Sequence, residues 1–161
     1  MRNKCPNFAP METGILHLIP TPLTGASIQQ LSAESISACC QLQHFCVERA
    51  KTARHFIKSI QHPLPLANLT VLEIPQNNPG QLFAEIIQDL LKGNSYGLLS
   101  EAGLPCIADP GQELVALAHH HSITVKPYAG PNSMLMALMA SGFNGQHFQF
   151  HGYLPAKKEG L

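Results

Sequence analysis

Charge is scarce in this chain. Of 161 residues only 12% are Asp, Glu, Lys or Arg, and ten basic side chains balance ten acidic ones to a formal charge of zero. Nonspecific binding of nucleic acid needs a broad basic face, so contact with RNA would need help from elsewhere. Long apolar runs are missing as well, which excludes a membrane-crossing helix. Met1 to Pro10 has two basic residues with no apolar stretch behind them, so no signal peptide is read and the expected compartment is cytoplasmic. Five cysteines form an odd, irregular set without a CxxC pair, which argues against a disulfide framework. A grouping of Cys39, Cys40, His44 and Cys46 divides between an expected helix and an expected strand, so no metal site is expected. The glycine-rich phosphate loops are also absent. After the first apolar run stands PTPLTG, with prolines where GxGxxG and GxxxxGKS elements need free backbone N–H groups.

What the chain does have is 45% hydrophobic residues, enough for a sizeable core, laid out in one alternating pattern. Ile15 to Pro20 reads as a strand, followed by a loop from Thr21 to Gly25 and a helix from about Ser27 to Cys40. His44 to Glu48 is a second strand, and Thr52 to Ile60 a helix with Ala53, Phe56, Ile57 and Ile60 on one face. Thr70 to Ile74, Tyr96 to Leu99 and Thr124 to Tyr128 are further strands, with helices at about Gln81 to Lys92 and Gln112 to His120. Asn132 can cap a last helix to about Ser141, with Met134, Leu135, Leu138 and Met139 inward and the methionines, Met136 among them, filling the core. His119, His120 and His121 suit an exposed helix end, and Phe148 to Leu154 looks like a sixth extended segment.

Strands alternating with helices imply a parallel sheet with right-handed crossovers. Every unusual loop follows a strand, so all would converge at the carboxyl edge of the sheet, where open α/β folds bind ligands. The richest is the stretch from Tyr96 to Val115, YGLLSEAGLPCIADPGQELV, whose polar middle holds two carboxylates, two glycines and two prolines. Asp109, Pro110 and Gly111 also have a structural reading, with Asp109 capping the next helix and Pro110 opening its first turn. Glu48, Lys51 and Arg54 likewise read as a solvated helix start or as groups near an acceptor.

The segments LIPTPLTG, VERAKTAR, LLSEAGLPCIADPGQELV, YAGPNS and ASGFNGQHFQFHGYLP occur in an order that resembles the tetrapyrrole methylase superfamily, the class III S-adenosylmethionine-dependent methyltransferases. The likeness runs from about Gly14 to Lys157 and is nearest to the branch that includes the small-subunit ribosomal RNA ribose methyltransferase. It implies a cofactor, S-adenosylmethionine, held by Pro20, Thr21 and Pro22 after the first strand. Ser100, Glu101, Ala102, Gly103, Ala108 and Asp109 would hold it after the fourth, and Gly130, Pro131 and Ser133 after the fifth. Gly103 and Gly111 would permit close backbone approach, and Glu101 or Asp109 would accept hydrogen bonds from ribose hydroxyls or an ammonium group.

The resemblance further implies an α/β, three-layer αβα fold around a mostly parallel five-stranded sheet, a homodimer, a methyl acceptor that is ribosomal RNA or a tetrapyrrole-like small molecule, and a second α/β domain beyond this chain. On that reading residues 1–13 are an extension, 14–150 the cofactor-binding domain and 151–161 the start of a linker. The chain departs from the ribosomal branch at Glu101, Leu104 and Ala108, where that branch has Asp, Thr and Ser, and at Arg49 to Lys51. With the missing half, these departures motivate an alternative: a noncatalytic interaction domain on the same fold.

Overall fold

The computed structural model describes residues 12–24 and 27–152. Five strands, β1 (Ile15–Ile19), β2 (His44–Val47), β3 (Thr70–Glu73), β4 (Tyr96–Leu99) and β5 (Thr124–Pro127), form one sheet in the order β3-β2-β4-β1-β5, every pair parallel. The helices are α1 (Ala33–Gln41), α2 (Ala50–Ser59), α3 (Gly80–Leu91), α4 (Gln112–His120) and α5 (Ser133–Ser141). The boundaries fall within two residues of most sequence-based expectations.

Two apolar cores sandwich the sheet. On one face Cys39 of α1 and Ala53, Phe56 and Ile57 of α2 pack on Ile19, Phe45, Val47 and Leu99. On the other, Phe83, Ile86, Ile87 and Leu90 of α3 with Leu114 and Ala118 of α4 pack on Leu16, Cys46 and Leu98. The alternating sides of each strand feed opposite layers, while β4, in the middle, is buried at all four positions. The connections from β1 and β2 run toward β3, whereas those from β3 and β4 run toward β5. Between β2 and β4 they diverge, which opens a crevice at the carboxyl edge.

Three expectations are corrected. The helix expected from Ser27 is broken: a single 3-10 turn at Ile28–Gln30 precedes extended Leu31 and Ser32, and α1 begins only at Ala33. Ser32 is its cap, its hydroxyl accepting from the Ser35 amide at 3.1 Å, and Leu31 turns into the core, so the apolar pattern continues where the helix does not. The last helix has its expected cap, Asn132 Oδ1 accepting from the Leu135 amide at 3.0 Å, but buries no residue. Leu135, Met136 and Met139 face outward rather than filling a core, and Met134 and Leu138 are only partly covered. No sixth strand forms over residues 148–152, and Tyr153 and Leu154 lie outside the described residues, as do Gly25 and Ala26. The expected N-terminal extension and linker fall mostly outside them too. His119, His120 and His121 form an exposed helix end.

Candidate functional site

Three loops are pinned together at the carboxyl edge. Thr21, after β1, and Gly103, in the β4 loop, form an antiparallel bridge: the Thr21 amide donates to the Gly103 carbonyl at 2.9 Å and the Gly103 amide donates back at 3.0 Å. The Thr21 hydroxyl also donates to the Ser100 carbonyl at 3.3 Å. Gly130, after β5, lies against Pro20 so closely that a Cβ there would collide with the proline ring. A Cβ on Gly103 would stand 3.3 Å from the Pro131 carbonyl. The β1, β4 and β5 loops therefore form one rigid cluster, as their positions after parallel strands predict.

The β4 loop is held in an unusual shape. Gly103, Cys106, Ala108 and Gly111 all have positive φ, at 82°, 68°, 62° and 118°. Left-handed backbone at a non-glycine residue costs about 1 kcal/mol or more and concentrates at functional sites. Gly111, in the left-handed region, caps α4, so Asp109 does not. A Cβ on Gly111 would also strike Leu98 Cδ2 at 2.7 Å, so this glycine serves packing against β4 rather than approach of a ligand.

Freed from capping, Asp109 stands half-buried in the crevice. Burial and the neighbouring Glu48 carboxylate, with Glu101 adding to them, push its pKa up to about 6 against the contrary pull of the Ser100 hydroxyl. Glu48, at the end of β2, is more than a solvated helix start: its Oε2 accepts from the Glu101 amide at 2.9 Å. The Glu101 carboxylate accepts from Thr52 Oγ1 at 2.8 Å and faces Arg49 Nε at 4.0 Å. Lys51 and Arg54 are exposed on α2.

The expected cofactor residues divide between the two sides of the Thr21–Gly103 bridge. Thr21, Pro22, Ser100 and Glu101 line a small depression against α2 of about 50 Å³. Ala102, Gly103 and Ser133 line another of about 40 Å³ with Leu104 and Ile107. A third, large cleft of about 500 Å³ is lined by Glu48 and Arg49 and includes only Asp109 of the expected set. Pro20, Gly130 and Pro131 hold the loops together, and Ala108 is exposed beside Asp109.

Residues the sequence reading passed over line that large cleft: Glu73 of β3, Gln76 of the loop after it and Phe83 of α3. Glu73 had no local signal, because its carboxylate caps a helix 23 positions earlier, accepting from the Ala50 amide at 2.7 Å. The donor set fits a ligand carrying a sulfonium and an ammonium. Glu48, Glu101 and Asp109 crowd negative charge, opposed among the described residues by Arg49, and that crowding adds to burial in raising the Asp109 pKa. Cys39 and Cys46, buried in opposite cores, have thiols pushed up to about 12 by burial, which disfavours the thiolate a metal would need.

No protein-family model matches the chain. It is similar to curated proteins named ribosomal RNA small subunit methyltransferase I. Identity is 33% over 144 residues to that of Xylella fastidiosa, covering 89% of this chain and 50% of the relative. It is 32% over 154 residues to that of Vibrio cholerae, covering 96% and 50%. For Halalkalibacterium halodurans it is 29% over 148 residues, covering 92% and 49%. The chain spans about half the length of the curated relatives it matches. Along some nine tenths of its own length, the chain is a homologue of the ribosomal RNA small subunit methyltransferases I, of the tetrapyrrole methylase family.

Proposed function

We propose that residues 14–150 are the S-adenosylmethionine-binding half of a cytoplasmic methyltransferase whose acceptor is ribosomal RNA. The observation that carries the reading is the cluster of the β1, β4 and β5 loops, joined by the Thr21–Gly103 bridge and the Pro20–Gly130 contact. It agrees with the activity named for the relatives. The residues proposed to hold the cofactor are Pro20, Thr21, Pro22, Ser100, Glu101, Ala102, Gly103, Ala108, Asp109, Gly130, Pro131 and Ser133. A second α/β domain and a homodimeric partner complete the assembly in this reading.

When bound, the sulfonium supplies an already activated methyl group. The protein's own work is then alignment and exclusion of water. Glu101, steadied by Thr52, accepts hydrogen bonds from hydroxyl or ammonium groups, and the rigid loop cluster fixes the angle at which they meet it. Asp109, with its raised pKa, can hold or release a proton near neutral pH at the mouth of the crevice. The near-neutral net charge leaves most of the grip on an RNA acceptor to the second domain.

Calorimetric titration of S-adenosylhomocysteine into the 161-residue chain tests the reading. One wall of a cleft leaves much of a ligand's surface in water, forfeiting about 25 cal/mol per Å² of apolar burial, so the expected result is weak binding without methyl transfer. Absence of any binding, in this chain and in one joined to the relatives' other half, would favour the noncatalytic interaction domain. Turnover by the chain alone would show that a second copy completes the site.

A further inference from the structure

Helix α2 starts against its own charges. Arg49 holds the N-cap position without a capping side-chain bond, Lys51 sits in the first turn, and no acidic residue of the helix stands there. Orphan N–H groups and the positive end of the helix dipole call for acceptors and negative charge at this point, and two cations supply neither. The acceptors come from elsewhere. Strand order places β2, which runs into α2, between β3 and β4. From the β3 side the Glu73 carboxylate, in register with Val47, accepts from the Ala50 amide at 2.7 Å. From the β4 side the Glu101 carboxylate accepts from Thr52 Oγ1 at 2.8 Å.

Two distant carboxylates therefore hold one helical turn, but they face different spaces. Glu101 and Thr52 line the small depression with Thr21, Pro22 and Ser100, whereas Glu73 lines the large cleft and takes no part in the depression. Glu48 fastens the Glu101 main chain at its amide and leaves the side chain free to turn. The aim of that half-exposed carboxylate then depends on Thr52, and the place of Thr52 depends on where the helix begins. A helix start that loses its cap frays from its first turn, which is where Thr52 stands.

We propose that Glu73 is a positioning residue for this depression: by capping α2 from β3 it fixes the turn from which Thr52 aims the Glu101 carboxylate. It touches no ligand there and acts only through the helix. The inference rests on the methyltransferase reading for the ligand that meets Glu101, but not for the linkage itself.

The test compares the 161-residue chain with Glu73→Gln, which keeps the reach without the charge, and Glu73→Asp, which keeps the charge but falls short. Glu73→Ala and Thr52→Val complete the set, and Glu73→Asp carries the test should Glu73→Ala not fold. The carbon-13 resonance of the Glu101 side-chain carboxyl reads its setting without ligand. Affinity is read by NMR titration with S-adenosylhomocysteine, well below each variant's unfolding midpoint. Glu73→Asp and Glu73→Ala should move the resonance and weaken binding by about threefold or more, while Glu73→Gln stays within about twofold of the parent. In the Thr52→Val background the same substitutions should change neither. Any of four outcomes overturns the proposal. Glu73→Asp and Glu73→Ala could leave the resonance unmoved, or could leave the affinity of a binding parent unchanged, which is capping and nothing more. Glu73→Gln could fail as Glu73→Ala does, which makes charge the cause, or the losses could persist undiminished in the Thr52→Val background. A parent that binds no S-adenosylhomocysteine, alone or joined to the relatives' other half, while the resonance moves as expected, would leave the linkage standing and sink the cofactor reading instead.

Discussion

Thr21 and Gly103 exchange two backbone hydrogen bonds, at 2.9 and 3.0 Å, across loops 82 positions apart in the sequence. The bridge needs Gly103 at a φ of +82°, where a side chain is strained, with Leu23 and Pro131 closing the remaining space. Gly103→Ala should therefore cost about 1 to 2 kcal/mol of stability, measured by urea unfolding, and weaken S-adenosylhomocysteine more than it weakens the fold. An unchanged affinity would separate the bridge from the proposed site.

Ala108, at a φ of +62°, offers the opposite experiment. Glycine relieves left-handed strain, partly offset by the freer unfolded chain, whereas a β-branched residue worsens it. Ala108→Gly should match or exceed the parent's stability by up to about 1 kcal/mol, and Ala108→Val should fall below it by more than about 1 kcal/mol. Equal unfolding midpoints for the two variants would mean that the loop does not hold this conformation in solution.

Asp109 makes stability fall as pH rises. Its folded pKa, about 6, lies above the ordinary carboxylate value of 3.8, so between those limits the native state holds the proton more tightly than the unfolded chain. Its penalty is absent below about pH 4, grows through pH 6 and is full above it. Asp109→Asn should unfold with the parent at pH 4 and exceed it by about 1 kcal/mol at pH 8, after allowance for solvent screening at a half-buried site. A cationic ligand favours the ionised form, so binding near pH 6 should release protons, seen as heats that vary with the buffer's ionisation enthalpy.

Glu101→Ala removes the acceptor of Thr52 from an exposed position. The expected loss is about 1 to 3 kcal/mol in S-adenosylhomocysteine binding, the scale of a hydrogen bond to a charged group. The unfolding midpoint should barely move. A large stability loss with unaltered affinity would make the residue structural.

Glu73→Ala uncaps α2 at the Ala50 amide and should cost about 1 kcal/mol of stability. Glu73→Gln, which keeps an acceptor oxygen, should recover most of it. The comparison is read from urea midpoints.

β4 was legible because a parallel strand buried at every position announces itself as a short apolar run, and α3 because its apolar residues keep a strict helical period, whereas the edge strands β3 and β5 bury no residue and show only in the alternation of strands with helices. What failed to show was set by distant contacts or by backbone signs that residue type does not reveal. Leu31 continues an apolar pattern, but it enters the core from an extended segment, so the period outlives the helix. Asp109 looked like a cap because Asp-Pro-Gly is a common helix opening, and the left-handed turn at Gly111 takes that place. The apolar residues of α5 were read as core because hydrophobicity says that a surface is to be covered, not by which body. Of the candidate site, the convergence of loops followed from topology alone. The role of Glu48 followed from nothing local, since its partner is an amide 53 positions away.

That bond between Glu48 and the Glu101 amide joins the proposed donor side of the protein to the start of α2. The strut already holds the β4 loop to the start of α2, so a group that meets Glu101 also meets α2 in a fixed relation and spends no binding energy on ordering the two.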